Sequence, residues 1–266
     1  MAYEHIVLDV ADHIATLTLN QPDSLNAMSP EMGQEIRAAV AELNERDDAR
    51  VVVIRGAGRA FSAGGNLDRL EEEAQAARGE KTGQGIGGGR SFYSLYLSVR
   101  DLEMPSIAAI NGHAIGAGLC FALGCDMRVV HEKAKLGMTF VRVGIHPGMA
   151  ATWNLPRLVG PAVAAELLYS GRLVDAEEAV RIGLANRSAS IEEFDSVVAE
   201  MAQQIAGSAP VAVRAVKETL RGTFDRTIED AIGMEADQQA MTFTTTDSLE
   251  GIAAIREKRA PDFQGR

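Results

Sequence analysis

The sequence predicts an α/β fold followed by a helical C-terminal region. Two segments, 51–67 and 106–120, combine a short apolar run, a glycine turn and a helix start. That order is typical of βαβ units with right-handed crossovers. From about residue 192 the apolar residues recur at helical spacing only. We therefore divide the 266 residues into an α/β core, 1–191, and a helical region, 192–266.

The first elements are a hairpin and a capped helix. Apolar residues alternate along 6–10 and resume along 14–19, on either side of a turn at 11–12. Ser29 followed by Pro30 predicts a helix start, because serine caps a first turn and proline fits the first helical position. The apolar run 51–54 then predicts a buried parallel strand.

The rest of the core continues this alternation. Residues 71–90 are polar and glycine-rich, which predicts a helix start followed by a mobile loop able to act as a lid. We expect strands at 106–110 and 127–130, with the turn 112–118 and a helix at 119–123 between them. Further helices are predicted at 91–102, 149–158, 161–169, 175–182, 192–206, 210–221, 227–241 and 247–258.

Composition excludes several function classes. The net charge of −11 and the sequence pI of about 5.0 argue against binding of nucleic acid or anionic membrane surfaces. No apolar run reaches the roughly 18–20 residues of a membrane span, and the N-terminus shows no secretory signal. Two cysteines without clustered histidines do not form a metal site. These features predict a reduced, cytoplasmic protein.

The two glycine turns are the candidate chemistry. Main-chain N–H groups at a strand–turn–helix junction face outward, and the helix N-terminus adds positive potential. Two such turns brought together would form an oxyanion hole. The alternative interpretation is two ordinary tight turns, because these have the same spacing in the sequence. A dinucleotide fingerprint is incomplete, because Phe61 and Phe121 replace its third glycine.

A resemblance then makes the assignment specific. Motifs occur in one order along nearly the whole chain: SLNAMS at 24–29, RAFSAGGNL at 59–67, PSIAAINGHAIGAGL at 105–119, CDMR at 125–128, KAKLG at 133–137, GIHPG at 144–148, LPRLVG at 155–160, LVDAEEAVRIGL at 173–184 and KRAPDFQG at 258–265. On these motifs the sequence resembles the crotonase superfamily, in particular the enoyl-CoA hydratase/isomerase family.

The resemblance implies a fold, a partner and an assembly. The fold is a crotonase-like spiral of ββα and βαβ units, with a helical C-terminal region that mediates trimers or hexamers made of two trimers. The partner is an acyl-CoA thioester of fatty acid metabolism. Coenzyme A is part of that substrate, so no separate cofactor is expected. The implied activity is that of a lyase or isomerase that acts through a thioester enolate.

The resemblance also implies the residues that hold the thioester. By motif position, the main-chain amides of Ala63 and Ala117 hold the carbonyl oxygen and stabilise the enolate. Gly64, Gly65 and Asn66 line the same coenzyme A and carbonyl site beside Ala63. Small residues there let the backbone approach the thioester closely.

Two substitutions set this chain apart from the hydratases it resembles. Those enzymes carry two glutamates twenty residues apart, and the corresponding positions here are Cys120 and Phe140, within the substrate pocket. An aspartate that some relatives use would fall at Gly148. Because two acid/base groups are missing, ordinary enoyl-CoA hydration is not expected.

Other groups are left as candidates for proton transfer. His146 lies in the GIHPG loop, and its ordinary pKa near 6.5 suits proton transfer at neutral pH. The Cys120 thiol and the acidic residues 71–73 are weaker candidates. The alternative interpretation is a non-catalytic acyl-CoA-binding protein, because a pocket without acids can still bind its ligand.

Overall fold

The structure is a computed structural model, and it describes residues 3–79 and 89–266. The strands are β1 (Ile6–Ala11), β2 (Ile14–Leu19), β3 (Val51–Gly56), β4 (Ala60–Ser62), β5 (Ser106–Ile110), β6 (His113–Ile115), β7 (Met127–His131), β8 (Leu136–Gly137), β9 (Leu173–Val174) and β10 (Arg187–Ala189). The helices are α1 (Pro30–Asn44), α2 (Leu67–Ala77), α3 (Gly89–Leu97), α4 (Ala117–Ala122), α5 (Ala151–Ser170), α6 (Ala176–Arg181), α7 (Phe194–Ala206), α8 (Pro210–Leu220), α9 (Ile228–Phe243) and α10 (Thr246–Glu257).

The main sheet contains the strands that the apolar runs predict. Its six strands lie in the order β1-β2-β3-β5-β7-β10. The hairpin β1–β2 is antiparallel, and every following pair is parallel. All five residues of β5 are buried, as expected for a strand that is covered on both faces.

A second sheet was not predicted. It has four strands in the order β4-β6-β8-β9, each only two or three residues long. Such short strands show no periodicity in the sequence, so the segment 112–118 was predicted as a turn alone. This small sheet pairs β4 with β6 in parallel, and it therefore aligns the two segments that precede the glycine turns.

The described helices follow the predicted helices in order along the chain and differ from them mainly at their ends. The Ser29 side chain accepts a hydrogen bond from the Met32 amide at 3.2 Å and caps α1 as predicted. Helix α2 begins at Leu67 rather than 71, because Asn66 caps it. Helix α5 spans the two predicted helices, 149–158 and 161–169, and the predicted break between them is confirmed at Gly160, whose φ of 78 and ψ of 161 are not helical. The predicted lid includes residues 80–88, which lie outside the described residues.

Two apolar cores lie on the two faces of the main sheet. The larger includes the stacked rings of Phe61 and Phe121, whose centroids are 6.2 Å apart. The smaller forms where α7 packs on the other face. The predicted division at 191/192 falls just before α7, which belongs to this second core, and the division itself stays a prediction.

Within the described ranges 3–79 and 89–266, no helix combines the length and apolar character needed to cross a membrane. Their His, Cys, Asp and Glu side chains form no cluster of three or more able to hold a metal ion.

The fully buried side chain of Asn26 joins the loop before α1 to the segment around β4. Its Nδ2 donates to the carbonyls of Ala57 and Ala60, both at 2.9 Å, and its Oδ1 accepts from the Gln21 amide at 2.9 Å. Its own carbonyl accepts from the Ser62 hydroxyl at 2.8 Å. Asn26 has φ 54, a left-handed conformation that asparagine adopts more readily than alanine.

We expect Asn26→Ala to lower the free energy of unfolding by about 2–4 kcal/mol, because buried polar groups lose their partners. Asn44→Ala is the matched control, since its hydrogen bonds to Asp101 and Glu103 are exposed and water replaces them; its loss should stay below about 1 kcal/mol. Urea unfolding measures both variants. Equal losses would contradict the structural role of Asn26.

Candidate functional site

The first glycine turn uses most of its polar groups internally. The Ala63 amide donates to the carbonyl of Leu25 at 2.9 Å, and the Gly64 amide donates to the Ser62 hydroxyl oxygen at 3.1 Å. Within the described part of the chain, the next amide, that of Gly65, has no hydrogen-bond acceptor. The structure thus corrects the prediction for Ala63, whose N–H is already engaged, and leaves Gly65 as the available donor.

Asn66 ends this turn and begins the next helix. Its side-chain oxygen accepts from the amides of Asp68 and Arg69 at 2.8 and 3.2 Å, so the side chain caps α2. Capping satisfies two main-chain donors at the start of the helix. Asn66 was predicted to line the ligand site, and the structure gives its side chain this local partner instead.

The second turn leads directly into α4. The Gly116 amide donates to the carbonyl of Gly137 at 2.8 Å, which fastens the turn to β8. Ala117 is the first residue of α4, and in the described residues its N–H has no acceptor. An N–H at this position has no partner within its helix, so it is available to a ligand, as the sequence predicted for Ala117.

The two turns touch through their backbones. A Cβ atom built on Gly64, whose φ is +85, would collide with the carbonyl oxygen of Ile115 and lie 3.1 Å from the Ala117 nitrogen. A Cβ atom on Gly118 would lie 2.5 Å from the carbonyl oxygen of Ser62. Only glycine permits such an approach, and the approach places the Gly65 and Ala117 amides in adjoining turns.

Cys120 lies one helical turn after Ala117 and is completely buried. Its sulfur lies 3.7 Å from the sulfur of Met138 and 3.6 Å from the carbonyl oxygen of Gly148. Burial raises the pKa of the Cys120 thiol to about 12. The group is therefore a neutral thiol near pH 7, and it is not a base.

Phe140 lies beside the second turn. Its Cζ is 3.9 Å from the position that a Cβ on Gly116 would take, and its ring packs partly buried against the larger core. The structure thus brings Cys120 and Phe140 to the region of the Ala117 amide, as the motif spacing predicted. Neither side chain is an ionised group there.

His146 and Gly148 occupy the loop that precedes α5. The His146 ring is exposed, with its Nδ1 2.7 Å from the carbonyl oxygen of Pro147. Because a carbonyl oxygen only accepts, Nδ1 carries the proton and Nε2 is the basic nitrogen of the neutral ring. No hydrogen bond joins His146 to another predicted site residue in the described ranges, whereas Gly148 contacts Cys120.

A cavity of about 780 Å³ lies elsewhere, between α8 and the start of β7. It contains none of the predicted site residues. Two of its charged groups have protein partners: Lys217 Nζ lies 2.8 Å from Asp126, and Arg100 donates to Asn154 at 3.0 Å. We therefore place the functional site at the glycine turns rather than in this cavity.

Comparison with known proteins decides the family. The family model described as enoyl-CoA hydratase/isomerase matches residues 9–266. The chain is 35% identical to crotonyl-CoA hydratase of Syntrophomonas wolfei subsp. wolfei, with 99% of both chains covered. It is 34% identical to (E)-benzylidenesuccinyl-CoA hydratase of Thauera aromatica, with 98% of this chain and 99% of that one covered.

The chain belongs to the enoyl-CoA hydratase/isomerase family. The crystal structure of enoyl-CoA hydratase from Bacillus anthracis superimposes with a TM-score of 0.89 at 33% identity, covering 99% of this chain and 100% of that chain. These findings confirm the predicted family and the crotonase-like α/β fold with a helical C-terminal region.

Sequence reasoning missed two features of the site. It named Gly65 as a lining residue but not as an amide donor, because motif position does not show which N–H groups are already bonded. It also missed Asn26, whose hydrogen bonds hold the loop that carries the Leu25 carbonyl. A lone asparagine within a turn-rich stretch was the only available signal.

The buried thiols give a direct check of the site's protonation. Because burial raises the pKa of both thiols to about 12, neither Cys120 nor buried Cys125 should react with dithiobis(nitrobenzoic acid) within minutes at pH 7. Two thiols should react in denaturant. Rapid labelling of one thiol in the native protein, lost in Cys120→Ala but kept in Cys125→Ala, would contradict a neutral, buried Cys120.

Proposed function

We propose that the protein binds an acyl-CoA thioester with its carbonyl oxygen between the amides of Gly65 and Ala117. The observation that carries the proposal is the contact of two glycine turns that leaves both of these N–H groups without an acceptor in the described residues. Relatives named crotonyl-CoA hydratase and (E)-benzylidenesuccinyl-CoA hydratase support an acyl-CoA ligand. Coenzyme A enters as part of that ligand.

Such a pair of donors favours reactions that pass through a thioester enolate. Negative charge develops on the carbonyl oxygen as the enolate forms, and a fixed main-chain donor typically supplies about 2.7–4 kcal/mol toward such a charge. Because the donors are main-chain atoms, alanine at 117 retains the hydrogen bond that a glycine would make. We therefore propose an enolate-stabilising lyase or isomerase.

Water addition to an enoyl-CoA is not the proposed reaction. It needs groups that activate water and deliver a proton, each contributing typically 10²–10⁴-fold. Cys120 is held neutral by burial, and Phe140 has no ionisable group. We propose His146 as the proton-transfer residue, since its Nε2 is left basic by the contact of Nδ1 with Pro147.

A specific observation favours a second candidate, a non-catalytic acyl-CoA-binding protein. The Cys120 thiol contacts the carbonyl oxygen of Gly148, and the phenyl ring of Phe140 lies beside Gly116, just before α4. Binding needs the two amides, whereas turnover also needs a proton-transfer group. The two candidates therefore share a site and differ in chemistry.

We also propose that the chain assembles into homotrimers or hexamers through its C-terminal region. Helices α9 and α10 expose large apolar side chains, which an assembly would cover. They include Ile228, Ile232, Phe243, Leu249 and Ile255.

Ala117→Pro tests the site by removing one N–H at a position where proline suits a helix. We expect the affinity for a non-hydrolysable crotonyl-CoA analogue to fall at least about 10-fold, because the oxygen loses a donor. Ala176→Pro, the same change at the first position of α6 and outside both glycine turns, is the matched control and should bind as the wild type does. Calorimetry measures affinity, and circular dichroism checks folding.

The wild type and Ala117→Pro also distinguish an enzyme from a non-catalytic binding protein. Exchange of the acyl-CoA α-proton with deuterated solvent, abolished in Ala117→Pro, supports the enzyme. Tight binding with neither exchange nor turnover on a panel of acyl-CoAs supports the binding protein. If a folded Ala117→Pro binds as tightly as the wild type, the carbonyl oxygen is not held there.

His146→Gln tests the proposed proton carrier. Glutamine keeps a polar side chain but cannot serve as a base at neutral pH. The rate of α-proton exchange should fall by about 10²-fold or more, with acyl-CoA affinity unchanged. His13→Gln is the control, because His13 is exposed and bonded to Asp48 at the far end of the hairpin. Equal exchange rates in all three proteins would remove His146 from the mechanism.

A further inference from the structure

Tyr93 on α3 lies directly against the loop that carries Gly148. A Cβ atom built on Gly148 would collide with the phenolic oxygen and lie 2.6 Å from Cζ of the ring. The phenol thus occupies the space that a side chain at position 148 would take.

The Tyr93 hydroxyl has no hydrogen-bond partner in the ranges 3–79 and 89–266, although the residue is half-buried. A phenol in such a place usually finds a partner. Burial raises the pKa of Tyr93 above its ordinary value, and the Glu73 carboxylate raises it further. At neutral pH the hydroxyl is therefore a neutral donor without an acceptor.

A short chain of contacts connects this hydroxyl to the proposed thioester site. Tyr93 covers Gly148, and the Gly148 carbonyl lies 3.6 Å from the Cys120 sulfur. Cys120 follows Ala117 by three residues on α4, about 4.5 Å along the helix axis. Through Gly148 and Cys120 the phenol is thus connected to the helix whose first amide, that of Ala117, is proposed to hold the carbonyl oxygen.

We propose that Tyr93 is a specificity-determining residue whose hydroxyl donates a hydrogen bond to an oxygen on the acyl chain. The ligand class is an acyl-CoA with an accepting oxygen near C3, such as a 3-oxoacyl-CoA. This inference rests on the proposed function. Neither Cys120 nor Phe140 is ionised, so neither offers a counter-charge to a charged group on the acyl chain of the ligand. A neutral oxygen atom on the acyl chain therefore fits this region better than a charged group does.

The test compares acetoacetyl-CoA with butyryl-CoA, which has the same chain length but no oxygen at C3. Tyr93→Phe should weaken acetoacetyl-CoA binding about 5- to 10-fold and leave butyryl-CoA binding unchanged, because one neutral hydrogen bond is lost. Tyr169→Phe makes the same change at a side chain that is 82% exposed, and it should alter neither affinity. Calorimetry gives all six dissociation constants.

A second variant addresses the position of the ring. Gly148→Ala should displace the phenol and lower the preference for acetoacetyl-CoA, with Tyr93 still present. Equal affinity changes for both ligands in a folded Tyr93→Phe, or none for either, would overturn the role of Tyr93 alone. If the wild type binds neither ligand, the proposed function itself fails.

Discussion

The backbone contact between the two glycine turns is the constraint on which the site depends. Gly64 contacts the backbone of Ile115 and Ala117, and Gly118 contacts that of Ser62. A Cβ atom on either glycine would collide with the opposite turn. Beneath them the rings of Phe61 and Phe121 stack within the core. Segments about fifty residues apart in sequence are thereby fixed relative to each other. Fixed donors are effective because they need no reorganisation when charge develops.

Hydrogen-bond satisfaction decides which amides this contact leaves available. The loop before α1 has left-handed residues at Leu25 and Asn26, and it presents the Leu25 carbonyl to the Ala63 amide. Ser62 satisfies the Gly64 amide, which leaves Gly65. A ligand oxygen can accept a hydrogen bond from this amide, and such a hydrogen bond contributes about 0.5–1.5 kcal/mol. The loop therefore selects the donor without itself touching the proposed ligand.

The sequence predicted the parts of the fold that repeat or are capped. The apolar runs of β3 and β5 and the Ser29–Pro30 start of α1 appear where expected, because each is a local signal. The four-stranded sheet has strands of two or three residues, too short for any period to appear. By contrast, the break within α5 lies where it was expected, since Gly160 separates the two predicted helices 149–158 and 161–169.

Motif position placed the first candidate amide at Ala63, two residues before Gly65, whose amide has no acceptor in the described residues. Motif spacing brought Ala117, Cys120 and Phe140 to one region, because spacing on a helix or strand is preserved by the fold. It could not distinguish the Ala63 amide from that of Gly65, since their hydrogen bonds depend on Leu25 and Ser62. The sequence did not predict the contact of Tyr93 for a related reason. Its position depends on how α3 packs on Gly148, which lies 55 residues away in the sequence.

The electrostatics of the acyl end connect the two candidate functions. Two negative charges about 6 Å apart repel by roughly 3 kcal/mol at an effective dielectric constant near 20. A carboxylate at position 120 or 140 would oppose an enolate by about that amount, whereas the neutral thiol and phenyl ring do not. The neutral thiol and the phenyl ring also supply no base to form the enolate. The site is therefore well suited to stabilise this anion, and a separate proton-transfer group decides whether the anion forms.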